Sequence, residues 1–302
     1  LISRLKSAET VVVFTGAGIS AESGVPTFRG EDGLWKKFKP EELANFDAFM
    51  RNPELVWEWY KYRKQVINNV QPNPGHYAIV ELEKMYKHFA VISQNVDNLH
   101  RCAGSKVVHE LHGNIMKNYC IDCYKDYPDE VIFSRNDAPK CECGGFIRPG
   151  VVWFGEMLPE DQWNAAEKAS SSADVFFSVG TSGVVYPAAS LPHEAKRNGA
   201  YVVEINPEPT PISSIVDEFL QGKSGEILPQ IVGGSAQTLV QRHVRRPVED
   251  PPRFRRVTEQ QPDLTFVRPL ALGHAYDARL AADSVQTALG QLAHAHGLSL
   301  TE

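Results

Sequence analysis

The stretch TVVVFTGAGISAESGVPTFRG, Thr10 to Gly30, decides the fold, because an apolar run passes directly into a glycine-rich turn. Val11 to Phe14 form a short, continuous apolar run of the kind found in parallel strands that are buried on both faces. Gly16 to Ala21 then fit the pattern G-x-G-x-x-G/A, in which glycines let the backbone approach a pyrophosphate. Many structural turns also match this pattern. Alone, it indicates only a candidate dinucleotide-binding turn.

The rest of the main body alternates apolar runs with helical stretches. The further runs are Phe89 to Ile92, Val175 to Val179 and Tyr201 to Ile205. His76 to Lys87 and Leu191 to Gly199 are helical in character and lie between them. This alternation predicts an α/β fold with a Rossmann-like, doubly wound parallel sheet. Two interruptions, around residues 40–70 and 113–150, predict a smaller helical and zinc-binding domain formed by two insertions.

Composition and charge argue against several classes of protein. The chain has 302 residues, 42% of them hydrophobic, and no apolar run approaches the ~20 residues of a membrane-spanning helix. A net charge of −6 provides no general attraction to nucleic acid or anionic lipid. Four of the five cysteines fall between Cys120 and Cys143, which favours a metal site in a reducing compartment. We therefore expect a cytoplasmic protein with neither nucleic acid nor membrane as its primary partner.

The composition changes near residue 234. Residues 235–302 contain eight arginines and no lysine, whereas the body contains fifteen lysines. Arg245 to Arg256 are rich in proline and arginine and predict a linker, and Ala275 to Gly297 predict one amphipathic helix. The role of this extension is open. The predicted parts are a Rossmann-like dinucleotide-binding domain (1–36, 71–112 and 151–233), a small domain (37–70 and 113–150) and the extension (235–302).

The cysteines have the spacing of a metal site. Cys120-x-x-Cys123 and, after 17 residues, Cys141-x-Cys143 offer four thiolates. A closed set of four thiolates is typical of structural zinc and leaves no coordination position open for catalysis. The second pair is one residue tighter than CxxC, and the two glycines after it can relax the loop. A redox or disulfide role is the alternative, and Cys102 is expected to pack as a small hydrophobe.

Polar residues follow several of the apolar runs, at the sheet edge where α/β proteins place ligands. Gln94 to Asp97 offer amides and a carboxylate close together. His112 follows another short apolar run, where an imidazole with a near-neutral pKa suits a general base. Gly180 to Ser182 end a further run, as do Asn206 and Glu208, with groups suited to phosphate and ribose. Each feature is ordinary alone, and most of the ten histidines are expected to be surface or core residues.

Taken in order, these motifs resemble one family. The series GAGIS-AESGVPTFRG, QNVDNLH, HGN, CxxC with CxC, VVWFGE, VGTS with VVYPAA, and INPEPT is similar to that of the sirtuins, the NAD-dependent protein lysine deacylases. The resemblance spans roughly residues 5 to 233, and this ordered set is far more specific than any single motif. It implies acyl-lysine proteins or peptides as partners, and nicotinamide and O-acyl-ADP-ribose as products. Asn114 stands where the family commonly has serine, a difference expected to have little effect.

The resemblance also implies roles for individual residues. NAD is held by Gly16, Ala17, Gly18, Ser20, Arg29, Gln94, Asn95, Asp97, Gly180, Thr181, Ser182, Asn206 and Glu208. A substrate peptide pairs by β-augmentation with the strand formed by Val151, Val152, Trp153, Phe154 and Gly155. His112 is the implied catalytic base. The implied cofactors are NAD and a structural zinc that is held by Cys120, Cys123, Cys141 and Cys143.

A smaller motif concerns the acyl group. Tyr60 and Arg63 are three residues apart in a predicted helix, so their side chains share a face. An arginine can bind a carboxylate through two parallel N–H bonds, and a tyrosine hydroxyl can add a third. The pair resembles the Tyr-x-x-Arg of the class III sirtuins, the desuccinylase and demalonylase branch, which implies an acidic acyl pocket that still admits acetyl-lysine. A solvated helix face is the alternative, because Arg51, Lys61 and Lys64 are close in sequence.

Two activities from other classes are also considered. A zinc-ribbon module that binds nucleic acid is disfavoured, because acidic residues outnumber basic ones by six to five between Gly113 and Gly150. A protein ADP-ribosyltransferase or an NAD hydrolase could use the same NAD pocket. A hydrolase would not need a strand at 151–156 that pairs with a peptide.

Overall fold

The computed structural model describes residues 1–28, 43–135 and 137–234. Arg29, the start of the predicted small domain at 37–42 and the extension 235–302 lie outside these residues. The strands are β1 (Thr10–Thr15), β2 (His88–Ser93), β3 (Val108–Glu110), β4 (Gly113–Cys120), β5 (Ile147–Val151), β6 (Val175–Val179), β7 (Tyr201–Asn206) and β8 (Glu218–Gln221). The helices are α1 (Ile2–Ser7), α2 (Ala17–Ala21), α3 (Phe46–Arg51), α4 (Pro53–Asn68), α5 (Pro74–Met85), α6 (Leu99–Ala103), α7 (Asp129–Phe133), α8 (Glu160–Ser171), α9 (Leu191–Arg197) and α10 (Ser224–Val232), with 3-10 turns at Ala188–Ser190 and Pro211–Ser214.

The main sheet has six parallel strands in the order β3-β2-β1-β6-β7-β8. β1 lies at the centre, where Val13 is paired with Val91 of β2 and with Phe177 of β6. The chain builds outward from β1 to β3 and then returns through β6, so the strand order reverses between β1 and β6. Ligands of such sheets bind at this reversal, outside the carboxyl ends of the strands. The predicted doubly wound α/β fold is confirmed.

Helices cover both faces of this sheet. On one face Val11 and Val13 pack in a cluster with Ile79 of α5, and on the other Phe14 packs in a cluster with Leu191 of α9. Strands buried on both faces favour apolar residues at most positions, which explains why the predicted runs are nearly continuous and not alternating. No helix within the described ranges combines the length and the apolarity that crossing a membrane requires.

The helix α4 begins at a well-defined cap. The Asn52 side chain accepts a hydrogen bond from Leu55 N at 3.1 Å, and Pro53 occupies the first turn, where its missing N–H costs nothing. The helix then runs for 16 residues, and most of its side chains are buried, Tyr60 and Arg63 among them. The acyl-pocket motif therefore sits on a regular, packed helix and not on a loop.

The other face of α4 packs on the antiparallel pair β4-β5, which carries the cysteine-bearing module. Trp57 Nε1 donates to Ile147 O at 2.8 Å. Lys64 has no exposed surface, and its Nζ donates to Ile115 O and to Asp129 Oδ1, the latter at 2.7 Å. These bonds tie the helix to the cysteine-bearing module.

Candidate active site and metal centre

The turns that follow β1 and β6 lie directly against each other. Gly18 N donates to Gly180 O at 2.8 Å. A Cβ on Gly18 would lie 2.7 Å from Gly180 Cα, and one on Gly180, where φ is +58°, would lie 2.5 Å from Ile19 N. Only glycine avoids both clashes. The N–H of Ala17, the first residue of α2, has no acceptor in the described part of the chain, so the narrow floor offers a donor.

Two amide side chains from the loop after β2 fasten these turns together. Gln94 Nε2 donates to Thr181 Oγ1 at 2.9 Å, and Asn95 Nδ2 donates to Gly16 O at 3.0 Å and to Ser20 Oγ at 3.1 Å. Because the amide nitrogens make these bonds, the side-chain carbonyl oxygens of Gln94 and Asn95 are left without a donor among the described residues. They can accept hydrogen bonds from a ligand.

Asp97 and Ser20 lie beneath this floor and do not form the cleft surface. Asp97 is 5% exposed and Ser20 is 1% exposed. Burial raises the pKa of Asp97, while the Ser20 hydroxyl, the Leu99 N–H and the Arg63 charge act in the opposite direction. Leu99 N donates to Asp97 Oδ1 at 3.0 Å. Both residues therefore support the cleft from below.

His112 has the geometry of a general base. Its Nδ1 lies 2.9 Å from Gln94 O, and because a carbonyl only accepts, Nδ1 carries the proton and Nε2 holds the free lone pair. Burial lowers the pKa of His112 below its usual 6.5, and the bond to Gln94 O raises it in part. The imidazole is therefore neutral at pH 7, with a fixed tautomer and an Nε2 that can accept a proton.

These groups surround one cleft of about 500 Å³ at the carboxyl edge of the sheet. The residues named from the sequence that line it are Gly16, Ala17, Gly18, Tyr60, Arg63, Gln94, Asn95, His112, Val151, Val152, Trp153, Phe154, Gly155, Gly180, Thr181, Ser182, Asn206 and Glu208. Sequence reasoning missed Phe28, Tyr186 and Pro187, which also line it. The VVYPAA motif contains two of these three residues and was the available signal.

Tyr60 and Arg63 are buried in the wall of this cleft, at 3% and 8% exposure, so the alternative of a solvated helix face is wrong. The Arg63 guanidinium carbon lies 4.7 Å from the Phe28 ring centroid and 5.7 Å from that of Trp59. Burial lowers the pKa of Arg63, and Tyr60 and Asp97 oppose that effect. No hydrogen-bond acceptor lies within reach of the Arg63 guanidinium among the described residues.

The predicted peptide-pairing strand is shorter than expected. β5 ends at Val151, and the N–H groups of Val152 and Phe154 already donate to carbonyl oxygens elsewhere in the chain, at 2.9 Å each. Trp153 between them is 2% exposed, so it forms part of the wall and not a free surface. The turn at Gly155, with φ of +89°, ends the extended backbone. Two N–H groups of the predicted peptide-pairing segment are therefore already used within the chain.

The loop after β7, which lines one part of the cleft, is braced by a residue that the motifs did not indicate. Glu204 is 1% exposed and accepts hydrogen bonds from Thr210 Oγ1 and Ser213 Oγ, both at 2.5 Å. Burial raises the pKa of Glu204, and the two hydroxyls oppose that effect. Asn206 Nδ2 donates to Glu208 O at 2.7 Å. These bonds hold the loop after β7 in place beside the cleft.

The four predicted zinc ligands converge at one point outside the cleft. Their sulfur atoms lie within 4.8 Å of one another, and the pairs Cys120–Cys143 and Cys123–Cys141 are each separated by 3.5 Å. Zn–S bonds of ≈ 2.3 Å in a tetrahedron place sulfurs about 3.8 Å apart, so this arrangement fits zinc. A Cβ on Gly145 would lie 2.9 Å from Cys120 Sγ, which explains the glycine after the tight second pair.

Cys102 and Asn114 were also singled out in the sequence. Cys102 is exposed on α6, so its expected packing as a buried hydrophobe is wrong. Asn114 is 4% exposed, and its Nδ2 donates to Asn98 Oδ1 at 2.9 Å and to Glu110 Oε1 at 2.7 Å. Asn114 thus joins β4 to the loop that carries Asp97 and to the end of β3.

Comparisons with known proteins agree with this geometry. The sequence profile described as Sir2 family matches residues 16–187. NAD-dependent protein deacylase 2 of Pyrobaculum aerophilum is 57% identical over 233 residues, which cover 76% of this chain and 92% of that protein. The chain belongs to the Sir2 family. The resemblance of its motifs to the sirtuins is thereby confirmed.

Further Sir2 relatives and structures extend the match. The NAD-dependent protein deacylase of Aquifex aeolicus is 55% identical, covering 73% of this chain and 93% of that protein. A solved complex of a Sir2 homolog with NAD has a TM-score of 0.73 at 46% identity, covering 79% of this chain and 93% of that one. A solved complex of Sir2 with a p53 peptide and NAD⁺ has a TM-score of 0.70 at 35% identity, covering 78% and 97%. The Sir2 fold of the described body follows from both.

Proposed function

We propose that this Sir2 protein is an NAD-dependent protein lysine deacylase that prefers succinyl-lysine and malonyl-lysine and also accepts acetyl-lysine. The acyl preference rests on one observation: Arg63 is a buried cation in the cleft wall without a hydrogen-bond acceptor among the described residues. Buried charges are normally paired, because an unpaired charge in a low-dielectric site is costly. The Asp97 charge and the rings of Phe28 and Trp59 lie near Arg63, and the carboxylate of an acidic acyl group would supply the hydrogen-bond acceptor that they do not. An acetyl group is smaller and still fits the same pocket.

The residues at the strand-order reversal fit NAD. Gly16, Gly18 and Gly180 keep part of the cleft floor free of side chains. The Ala17 N–H at the start of α2 can donate to a pyrophosphate oxygen. The open carbonyl oxygens of Gln94 and Asn95 suit the amide hydrogens of a nicotinamide carboxamide. Ser182 and Asn206 line the part of the cleft assigned to ribose. Arg29 is proposed as a further contact and lies outside the described residues.

Different residues of the chain would contribute to different steps of the reaction. Bound NAD supplies an electrophilic ribose carbon and nicotinamide as its leaving group. Residues of the cleft hold the acyl-lysine carbonyl oxygen toward that carbon and keep water away. His112 Nε2 accepts a proton from a ribose hydroxyl, and the bond from Nδ1 to Gln94 O keeps its lone pair available. One water then enters to release the lysine, so the proposed products of acyl-lysine, NAD and water are nicotinamide, the free lysine and O-acyl-ADP-ribose.

Tyr60 and Arg63 would recognise the acyl carboxylate together. Arg63 supplies N–H donors and a positive charge, and Tyr60 supplies one O–H donor from the preceding turn of α4. A hydrogen bond to a charged group contributes ~1.5–3 kcal/mol, which corresponds to roughly 10- to 150-fold in kcat/KM. An acetyl group forms no such bond. The pocket can therefore discriminate between acyl groups without excluding the smaller one.

The proposed partner is an acyl-lysine peptide laid along residues 151–156. The carbonyl oxygen of Val152 has no donor among the described residues, so the segment can pair with an N–H group of an extended peptide. The solved Sir2 complex with a p53 peptide supports this kind of ligand. A site that binds the peptide through its backbone would accept many peptide sequences, and the acyl-lysine side chain would be its main requirement.

The cysteine site and the division of the chain complete the proposal. The four convergent thiols fit a structural zinc, which would hold the β4-β5 module together without taking part in the reaction. The six parallel strands fall within 1–36, 71–112 and 151–233, which supports that range as the Rossmann-like domain. The cysteines fall within 113–150, which with 37–70 forms the proposed small domain. Four cysteines that would hold zinc and form no disulfides suit a cytoplasmic, reducing environment.

The proposal is tested by single-turnover release of nicotinamide with matched succinyl-lysine and acetyl-lysine peptides, with peptide mass followed at the same time. Succinyl-lysine should be consumed faster, in step with nicotinamide and O-succinyl-ADP-ribose. Arg63→Met should lower desuccinylation roughly 10- to 150-fold and deacetylation far less. Arg51→Met, at an exposed arginine in α3, is the matched control and should change neither rate.

Two outcomes would contradict parts of this proposal. Equal losses of desuccinylation and deacetylation in Arg63→Met would overturn the acidic-acyl assignment and leave the deacylase activity standing. Release of nicotinamide while neither peptide changes mass would identify an NAD hydrolase or an ADP-ribosyltransferase instead.

A further inference from the structure

The donor and the acceptor of one hydrogen bond in the cleft wall follow from the chemistry of its two side chains. Trp153 Nε1 lies 2.9 Å from Tyr60 Oη. An indole nitrogen can only donate, whereas a phenol can donate one proton and accept others. Tyr60 Oη therefore accepts from Trp153, and its own proton must point elsewhere. Burial raises the pKa of Tyr60, so the phenol keeps that proton at neutral pH.

The proton of Tyr60 has no acceptor within the described residues, and its oxygen belongs to a residue that lines the cleft. Arg63 lies close enough for its charge to lower the pKa of Tyr60 in part. Tyr60 and Arg63 line the same cleft, so an O–H that the described chain leaves unused is available to a ligand there, beside the Arg63 charge. A carboxylate that entered this space would meet a positive charge and one aimed O–H donor.

The indole that sets this direction is itself held firmly. Trp153 N donates to Glu156 Oε2 at 2.7 Å, and Glu156 accepts two bonds from Arg148, at 2.5 and 2.9 Å. The Arg148 guanidinium carbon also lies 3.6 Å from the Trp153 ring centroid, and the Phe49 ring lies 5.2 Å away. Arg148 is 5% exposed. This ion pair, in which Arg148 is buried and Glu156 is partly exposed, holds both the backbone and the ring of Trp153.

We propose that Trp153 is a positioning residue for acyl selection, which turns the Tyr60 proton toward an acidic acyl group, and that Arg148 and Glu156 hold Trp153 in that orientation. The inference rests on the proposed acidic-acyl function. Without the indole N–H, the Tyr60 hydroxyl can rotate its proton away and present a lone pair to the incoming carboxylate, which repels it. An acetyl group has no carboxylate and is less sensitive to this rotation.

A double-mutant cycle tests the inference, because Trp153 should act only through the Tyr60 hydroxyl. The variants are Trp153→Phe, Tyr60→Phe and the double variant, each measured with succinyl-lysine and acetyl-lysine peptides. Trp153→Phe should lower the ratio of succinyl to acetyl kcat/KM about tenfold in the parent chain. In the Tyr60→Phe background the same change should alter that ratio by less than about twofold. The matched control is Trp57→Phe. It also removes a buried indole donor, but Trp57 lies on α4 and its N–H bonds to Ile147 O and not to Tyr60.

A second measurement does not depend on the folding of the Trp153 variant. In protein labelled with ¹⁵N-tryptophan, Tyr60→Phe should move the Trp153 indole N–H resonance upfield, because the acceptor oxygen has been removed. The Trp57 indole resonance should stay in place. An unmoved Trp153 resonance would show that the hydrogen bond does not exist in solution and would overturn the inference.

The outcomes separate this inference from the function on which it rests. An equal fall in the ratio in both backgrounds, with a wild-type protein that removes succinyl groups, would overturn the positioning role alone. A wild-type protein without desuccinylase activity would overturn the acidic-acyl function and the selection role together. The indole resonance would still report whether Trp153 orients Tyr60.

Discussion

Acidification should weaken the fold through a pair of histidines that are buried under the glycine turns. His76 has no exposed surface, and its Nε2 has no partner in the described part of the chain. Its ring centroid lies 5.0 Å from that of His100, whose Nε2 lies 2.9 Å from Thr15 Oγ1. Burial lowers the pKa of His76 to about 4. Burial, with a smaller contribution from His76, lowers the pKa of His100 well below its ordinary value.

The sign of the effect follows from proton binding. The unfolded chain protonates His76 as the pH falls through 6.5, whereas the folded chain does so only near 4. Between these values the unfolded state binds more protons, so the contribution of His76 to stability is complete above 6.5 and is lost as the pH falls toward 4. Each tenfold difference in proton affinity is worth about 1.4 kcal/mol, which gives a loss of about 2 kcal/mol by pH 5 and about 3 kcal/mol by pH 4.

The assay is urea unfolding of the zinc-loaded protein at pH 7 and pH 5, with wild type, His76→Gln and His88→Gln compared. His88 is exposed on β2, so its variant should follow the wild type and serves as the control. Between the two pH values the wild type should lose about 2 kcal/mol more of its free energy of unfolding than His76→Gln. Parallel losses in these two proteins would refute the assignment of the acid sensitivity to His76.

Three further results are expected. His112→Ala should lower deacylation by about 10²- to 10⁴-fold while the Kd for NAD, measured by calorimetry, stays within about threefold; a large rise in Kd would contradict a role confined to proton transfer. Gly180→Ala should raise that Kd about tenfold, because its Cβ would meet Ile19 N at 2.5 Å, whereas Gly199→Ala, also at positive φ but in open space, should leave it unchanged. Cys143→Ser should reduce bound zinc, measured by atomic emission, from about one per chain to nearly none and lower the Tm; unchanged zinc would exclude this ligand set.

The buried centre of the sheet was predictable from sequence and its edges were not. β1, β6 and β7 are near-continuous apolar runs, interrupted by Ser178 in β6 and Glu204 in β7, because both of their faces are covered. The edge strands Val108–Glu110 and Glu218–Gln221 have three and four residues and include charged side chains, so no periodicity marks them. The sequence pattern therefore reports how deeply a strand is buried and not whether it pairs.

The candidate site, too, was only partly predictable from the sequence. The glycine turn and the cysteine pairs were predictable because their partners are close in sequence and their chemistry depends on that spacing. The bond from Trp153 to Tyr60 joins residues 93 positions apart, which no local motif encodes. Lys64 looks like a surface lysine in the sequence, yet it is fully buried because Asp129 and a backbone carbonyl of β4 bind its ammonium group.

The helix α4 serves the cleft with Tyr60 and Arg63 and the cysteine-bearing module with Trp57 and Lys64. Successive residues of a helix are rotated by about 100°, so inserting or deleting one residue between Trp57 and Tyr60 would turn Trp57 out of phase with Tyr60, Arg63 and Lys64. Substitution at a single position leaves this phase intact. In evolution, the acyl preference of such a protein should therefore change by replacement of side chains on α4, while the length of the helix between Trp57 and Lys64 stays constant.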